Sequence, residues 1–367
     1  VEVCIVTRFR FSAVLALVIG IAAAVGGQEK KDPPKVDPKA TDPKPADPKQ
    51  PAPKPADPKP ADPNAKSFQL KLEKGKSFYQ EMGTAVTQVI KVQGQDLTQK
   101  QDSTFQFKWT PTKQEGDKWF VEQEVEGLKM SIDISGNQIS YDSSKQDGGV
   151  TAGNPTLTQF FKALVGAKFT AILDKSQKVE KVEGKEKFIA DLGAGSPQMD
   201  QLLKKIMTDD ALKQMCDPSF GLTPDSPKKP GDTWKKESTI DLGPIGTYAV
   251  TYTFKFVGAP SDEEKKDERK KDTEKIEVET SLIYTAPKAN PEGLLFRIKE
   301  GKLTSTNPTK GTIFFDSKNG RIASAEISID LKGDLTVTIG GTDTKVELQQ
   351  NQKTTIKSGD TSFLPKK

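Results

Sequence analysis

Apolar and polar residues alternate with period two through residues 67–367, the mark of strands with one covered face. In TYAVTYTFKF the alternation puts Tyr248, Val250, Tyr252, Phe254 and Phe256 on one side. TFQFKW does the same with Phe105, Phe107 and Trp109, and RIASAEISIDL with Ala323, Ala325, Ile327, Ile329 and Leu331. Turn signals separate the runs. KNG at 318–320 carries Asn319-Gly320, a pair that tolerates the positive φ of a tight hairpin. QEGD at 114–117, SGN at 135–137, KEG at 299–301 and GGTD at 340–343 read as further hairpin turns. Hairpins this frequent predict antiparallel sheet.

Two segments change period. NPTLTQFFKALVG opens on Asn154 and Pro155, places Leu157, Phe160, Phe161 and Leu164 on one stripe, and stops at Gly166. SPQMDQLLKKIM opens on Ser196 and Pro197, with Met199, Leu202, Leu203 and Ile206 as its stripe. Asp209-Asp210 suits a helix start, where carboxylates meet the positive end of the dipole. The run SDEEKKDERKKDTEK at 261–275 interrupts two strands as a solvated loop or frayed helix.

EKGKSFYQE, 73–81, holds the tripeptide of a phosphate-binding loop. Such a loop needs an earlier glycine, where Leu70 stands. The stretch aligns with KPGDTWKKE, 229–237: Gly75 with Gly231, Ser77 with Thr233, Phe78 with Trp234 and Glu81 with Glu237, while Lys76 faces Asp232. The shared features are a glycine bend and an aromatic that opens a strand. They predict two structurally similar halves, and no nucleotide site. The fold expected is mainly β (α+β): antiparallel sheets in two similar halves, about 67–190 and 218–367, curled towards a half-barrel or barrel. Two or three short helices, about 155–165 and 197–215, come between the halves.

KPGDTW after FGLTPDSPK, with FFDSKNGRIASAEI later and AKFTAILDKSQKVEKVEG before, resembles a domain-of-unknown-function family of exported bacterial β-rich proteins. The likeness would cover most of 67–358. One departure is Gln177-Lys178, where that family often carries a glycine before the first valine. The resemblance implies no activity and no site residues.

Composition adds two further pieces. In residues 1–27, Arg8 and Arg10 precede the apolar FSAVLALVIGIAAAV and then Gly26-Gly27, the pattern of a secretory signal peptide. A retained anchor is the alternative, although a span takes about 20 apolar residues. Val1 in place of Met fits an alternative start codon or missing upstream residues. Residues 28–66 hold 12 of the 25 prolines around a Pro-Ala-Asp-Pro-Lys repeat. Proline removes donors and fixes φ, so this piece reads as a disordered, extended spacer. The remaining body carries 44 basic and 43 acidic residues, which argues against nucleic acid as a partner.

The chain has no histidine, which removes Ser-His-Asp and Cys-His chemistry and the usual zinc sites. Ser226-Pro227-Lys228-Lys229 has Ser-x-x-Lys spacing, but its prolines make it an extended turn rather than the helix that motif needs. GAGS at 193–196 lacks the last glycine of a dinucleotide loop. Cys4 departs with a cleaved signal, leaving Cys216 alone. The sequence therefore points to no catalytic residue, cofactor or metal. It points to an exported, non-enzymatic binding or carrier protein of the periplasm or cell envelope, and by fold analogy resembles periplasmic lipoprotein carriers. Its partner would be an apolar small molecule or an envelope or cell-wall component. The candidate ligand-contacting residues are Tyr252, Phe254, Phe160 and Phe161. The alternative is a structural envelope component held out on the spacer.

Overall fold

The computed structural model describes residues 64–92, 94–145, 155–194, 197–219, 221–241, 245–288, 296–305, 309–339 and 341–365. The expected signal peptide, nearly all of the expected spacer, and the helix-opening residues Asn154 and Ser196 lie outside them. The described chain begins with β1 (Phe78–Val92), β2 (Gln95–Glu115), β3 (Lys118–Ile134) and β4 (Asn137–Asp142). Helix α1 (Pro155–Leu164) leads to β5 (Lys168–Leu173) and β6 (Val179–Glu183). Then come α2 (Lys185–Gly193), α3 (Pro197–Ile206) and α4 (Asp209–Met215). The second strand set is β7 (Thr233–Asp241), β8 (Thr247–Gly258), β9 (Glu274–Thr285), β10 (Phe296–Ser305), β11 (Thr309–Asp316), β12 (Arg321–Ile339) and β13 (Thr342–Gly359).

The mainly β, antiparallel architecture is as the alternation predicts. The two strand sets are nevertheless one 13-stranded sheet, ordered β6-β5-β3-β2-β1-β13-β12-β10-β9-β8-β7, with β4 on β3 and β11 between β12 and β9. β1 joins the sets by pairing with β13 from Tyr79↔Gly359 to Val92↔Val346. Among the described residues no ladder joins β6 to β7, so the sheet keeps two edges instead of closing as a barrel. Among the described residues four α-helices are present where two or three were expected, and α1 falls inside the first strand set.

The two halves share a corner. Gly75 (φ +80°) and Gly231 (φ +92°) are both left-handed, where a side chain would be strained. The Gly75 amide donates to Pro111 O at 2.7 Å, and the Gly231 amide to Phe256 O at 2.8 Å. Phe78 then stacks on Trp109 and Trp234 on Phe254, with centroids 6.0 and 5.2 Å apart. The stretch that resembles a phosphate loop is a sheet corner. Of the expected hairpin turns, KEG is the exception: Lys299, Glu300 and Gly301 lie within β10 at a register shift. Gly301 has no side chain because a Cβ there would meet Leu335 Cδ2 at 2.3 Å.

The edges are stitched without a ladder. Helix α4, capped by Thr208 Oγ1 accepting from Ala211 N at 3.2 Å, packs against both β6 and β7. An arm at residues 64–72 crosses the same end. Lys66 and Lys228 exchange backbone hydrogen bonds of 2.7 and 2.9 Å. The Gln177 side chain holds Leu70 as a strand would, accepting from its N–H and donating to its carbonyl, both at 2.6 Å. Phe68 is thereby inserted among Trp234, Phe256 and Phe315, ring against ring.

Candidate functional site: a polar grid on the covered face

The side chains on the covered face of β2, β1 and β13 fall into cross-strand rows. Ser103, Thr84 and Thr354 form one row, Gln101, Val86 and Gln352 the next, and Gln99, Gln88 and Gln350 the third. Eight polar residues thus surround one valine. The rows are two residues apart and the strands adjacent, so the grid measures roughly 10 by 13 Å. Apolar side chains frame it. Phe105, Met82 and Ile356 precede the first row, and Leu97, Ile90 and Leu348 follow the third. Met130, Ile132 and Ile134 on β3 and Ile327, Ile329 and Leu331 on β12 flank it.

All nine positions are buried, with Gln88 and Gln99 at 0 % exposure and Gln101 at 1 %. A buried amide ordinarily finds partners for its carbonyl and its NH2. Here Thr84 and Thr354 share a hydrogen bond at 3.4 Å, and Gln350 Nε2 donates to Gln352 Oε1 at 3.3 Å. Neither amide atom of Gln88, Gln99 or Gln101 has a hydrogen-bond partner. Leaving a buried polar group unsatisfied costs about 1–3 kcal/mol. That cost is repeated over three neighbouring side chains.

The grid is uncharged. Among the described residues the buried polar side chains are glutamine, serine and threonine, and none is Asp, Glu, Lys or Arg. Next to it the same face is apolar and helix-covered: Met82, Phe105, Phe107, Val125 and Leu164 line a small cavity of about 50 Å³ with the buried thiol of Cys216.

The four residues expected to contact a ligand lie elsewhere. Tyr252 and Phe254 are fully buried on β8, where they stack on each other and Phe254 stacks on Trp234. Phe160 and Phe161 are buried on α1, where Phe161 meets Tyr141. The ring contacts among the described residues join neither pair to the other, and each is core to its own region. Nearby, Tyr284 donates to Ile245 O at 2.8 Å, and burial, with the neighbouring Tyr248, pushes its hydroxyl pKa up.

Two open surfaces lie elsewhere among the described residues. A cleft of about 860 Å³ lies at the seam, between Val179 and Glu180 on β6 and Lys236 to Thr239 on β7. A groove of about 710 Å³ lies under the charged run after β8. That run folds back onto the sheet: Lys270 Nζ sits 4.9 Å from the Phe314 ring, and Lys275 pairs with Glu264 at 2.7 Å. Burial opposes ionisation of Glu264, but hydrogen bonds from Lys275 and Ser261 outweigh it and hold the carboxyl pKa at about 2. Ser226 and Lys228 lie on an exposed extended stretch, with Lys228 Nζ 3.2 Å from Ser226 Oγ. Of the expected Gly-Ala-Gly-Ser turn, Gly193 and Ala194 end α2, and the last two residues lie outside the described set.

Comparison with known proteins bears on the helical side of the molecule. Residues 116–261 match the family of unknown function DUF6263. The DUF6263 segment takes in KPGDTW, AKFTAILDKSQKVEKVEG and all four helices, but not FFDSKNGRIASAEI. The eight polar residues of the grid also lie outside it. No curated protein matches the sequence. Among solved structures, lipovitellin, from a study of its lipid–protein interactions, aligns over 81 % of this chain at 9 % identity and a TM-score of 0.40. This chain spans 27 % of that one. An outer membrane channel from Pseudomonas putida F1 aligns over 82 % of this chain and 100 % of its own, at 6 % identity and a TM-score of 0.20.

The sequence carried a signal for the grid. Read backwards from Phe105, Phe107 and Trp109, the alternation assigns Ser103, Gln101 and Gln99 to the covered face. Read from Ile356, it assigns Thr354, Gln352 and Gln350 likewise. An apolar search stops where these residues begin.

Proposed function

We propose that the chain is an exported, non-enzymatic binding or carrier protein of the bacterial envelope, held out on its proline-rich spacer, which keeps a ligand against the covered face of its sheet. The observation that carries this reading is the set of buried, unpartnered amides of Gln88, Gln99 and Gln101. A protein whose only task were to be stable would gain by replacing them with leucine. Ligand sites combine an apolar surround with a few polar groups that fix orientation, and the framed grid has that composition. The test is native mass spectrometry of the protein purified from a bacterial periplasm. A copurifying adduct of defined mass, released on unfolding, is expected. A bare polypeptide mass, together with failure to bind a fluorescent fatty-acid probe, would overturn the reading.

The seam favours a second reading, a structural component of the envelope. Among the described residues β6 and β7 each lack a second strand partner, although α4 packs against both, and such edges are templates for another strand. Self-association or retention on isolated envelopes, lost on substitution of Ser238 by proline, would support it.

A further inference from the structure

We infer that the grid recognises a neutral, hydroxyl-rich headgroup, a sugar or other polyol, and that the apolar frame holds a hydrocarbon chain attached to it. This rests on the carrier reading above and names its ligand class. The first argument is charge. With no Asp, Glu, Lys or Arg buried among the described residues, a charged headgroup would be buried without a counter-ion, at a cost far above that of a neutral one. The second is donor and acceptor balance. Gln88, Gln99 and Gln101 each offer an unpartnered carbonyl and an unpartnered NH2. Hydroxyl groups donate and accept at once and so answer both, whereas a ketone or ester would leave the carbonyls unmet. The third is layout. The amides lie across adjacent strands, Gln88 directly opposite Gln99 and Gln101 opposite Val86. They therefore face a group with several hydroxyls side by side, not a single alcohol. The fourth is the frame: Met82, Phe105 and Ile356 at one end and Ile90, Leu97 and Leu348 at the other continue the same face with purely apolar side chains.

The experiment uses the full chain and a set of probes with one alkyl length, each below its micelle concentration: an alkyl maltoside, an alkyl sulfate and an alkyl trimethylammonium, with free maltose as a fourth. Calorimetric titration is expected to show the maltoside binding at least about tenfold more tightly than either charged amphiphile. The double variant Gln99→Leu/Gln101→Leu and the near-isosteric Gln88→Met should each lose about tenfold for the maltoside. Neither should change affinity for the alkyl sulfate or lower the unfolding midpoint, so a binding loss is not a folding loss. If maltose alone binds as tightly as alkyl maltoside, the headgroup assignment stands and the attached chain is overturned. If all heads bind equally, or the variants bind the maltoside like the parent, the grid is not the recognition site, while the carrier reading survives. If no probe binds and a copurified ligand is still seen by native mass spectrometry, the ligand class is overturned and the carrier reading stands. If neither is seen, both fall, and the amides are met by water only.

Discussion

On β8 and β9 the covered face is Tyr248, Val250, Tyr252, Phe254 and Phe256 against Ile276, Val278, Thr280, Leu282 and Tyr284. On β1 and β13 it is Thr84, Val86 and Gln88 against Gln350, Gln352 and Thr354. Both regions alternate with the same period and both are buried. They differ in how their polar atoms end. The Tyr284 hydroxyl reaches Ile245 O at 2.8 Å, whereas Gln88 reaches nothing. Burial alone does not separate core from site. What separates them is how densely such groups gather: on β9 the Thr280 hydroxyl goes unanswered among apolar neighbours, whereas the amides of Gln88, Gln99 and Gln101 do so side by side.

Deletion should expose that contrast, most strongly in the filled region. Phe254→Ala removes a ring stacked on both Trp234 and Tyr252 and is expected to cost about 3–5 kcal/mol in urea unfolding. A loss under about 1 kcal/mol would mean that β8 is not tightly packed. The next test removes one polar group from each region. Tyr284→Phe leaves the buried Ile245 carbonyl without its donor and should cost about 1–3 kcal/mol. Gln99→Leu removes an amide that bonds nothing, and should change stability by less than about 1 kcal/mol or raise it. Equal costs at the two sites would erase the distinction.

The smallest effect concerns acid. The covered faces hold no charged side chain among their buried residues, so acid sensitivity must enter through the surface. The Glu264 pKa is depressed from 4.5 to about 2 in the folded chain. Its contribution is therefore complete above about pH 4.5 and is lost as pH falls towards 2. Glu264→Gln should bring the unfolding midpoint of the parent and variant together by about pH 1, below both values, with the parent ahead at pH 6. A gap that persists at about pH 1 would assign the effect to something other than the Glu264 charge.

Much of the fold is local and was legible for that reason. Phe105, Phe107 and Trp109, or Tyr248 to Phe256, name their strand and its covered side within a few residues. The hairpins at Gly116, Gly136, Gly320 and Gly341 are written in glycines that adopt positive φ. What was not legible depends on distant partners. No short window shows that β1 pairs with β13, or that Lys299-Glu300-Gly301 lies within a strand at a register shift and not at a turn. The helix Lys185–Gly193 was missed because its stripe is short, with Phe188, Ile189 and Leu192 alone buried beside its terminal glycine. The grid was missed because glutamine on a strand is read as facing water. The aromatic candidates Tyr252, Phe254, Phe160 and Phe161 were selected by hydrophobicity, which finds cores more readily than sites.

The pairing of β1 with β13 also sets a schedule. A ribosome delivers residue 78 long before residue 359, and the strand between β2 and β13 must wait with one edge unpaired until β13 emerges. Contacts this distant in sequence form slowly, because a long loop has to close before they stabilise anything. The grid takes one column from each of β2, β1 and β13, so it comes into being only with the final ladder. A nascent chain therefore carries two thirds of the surface until β13 emerges and completes it.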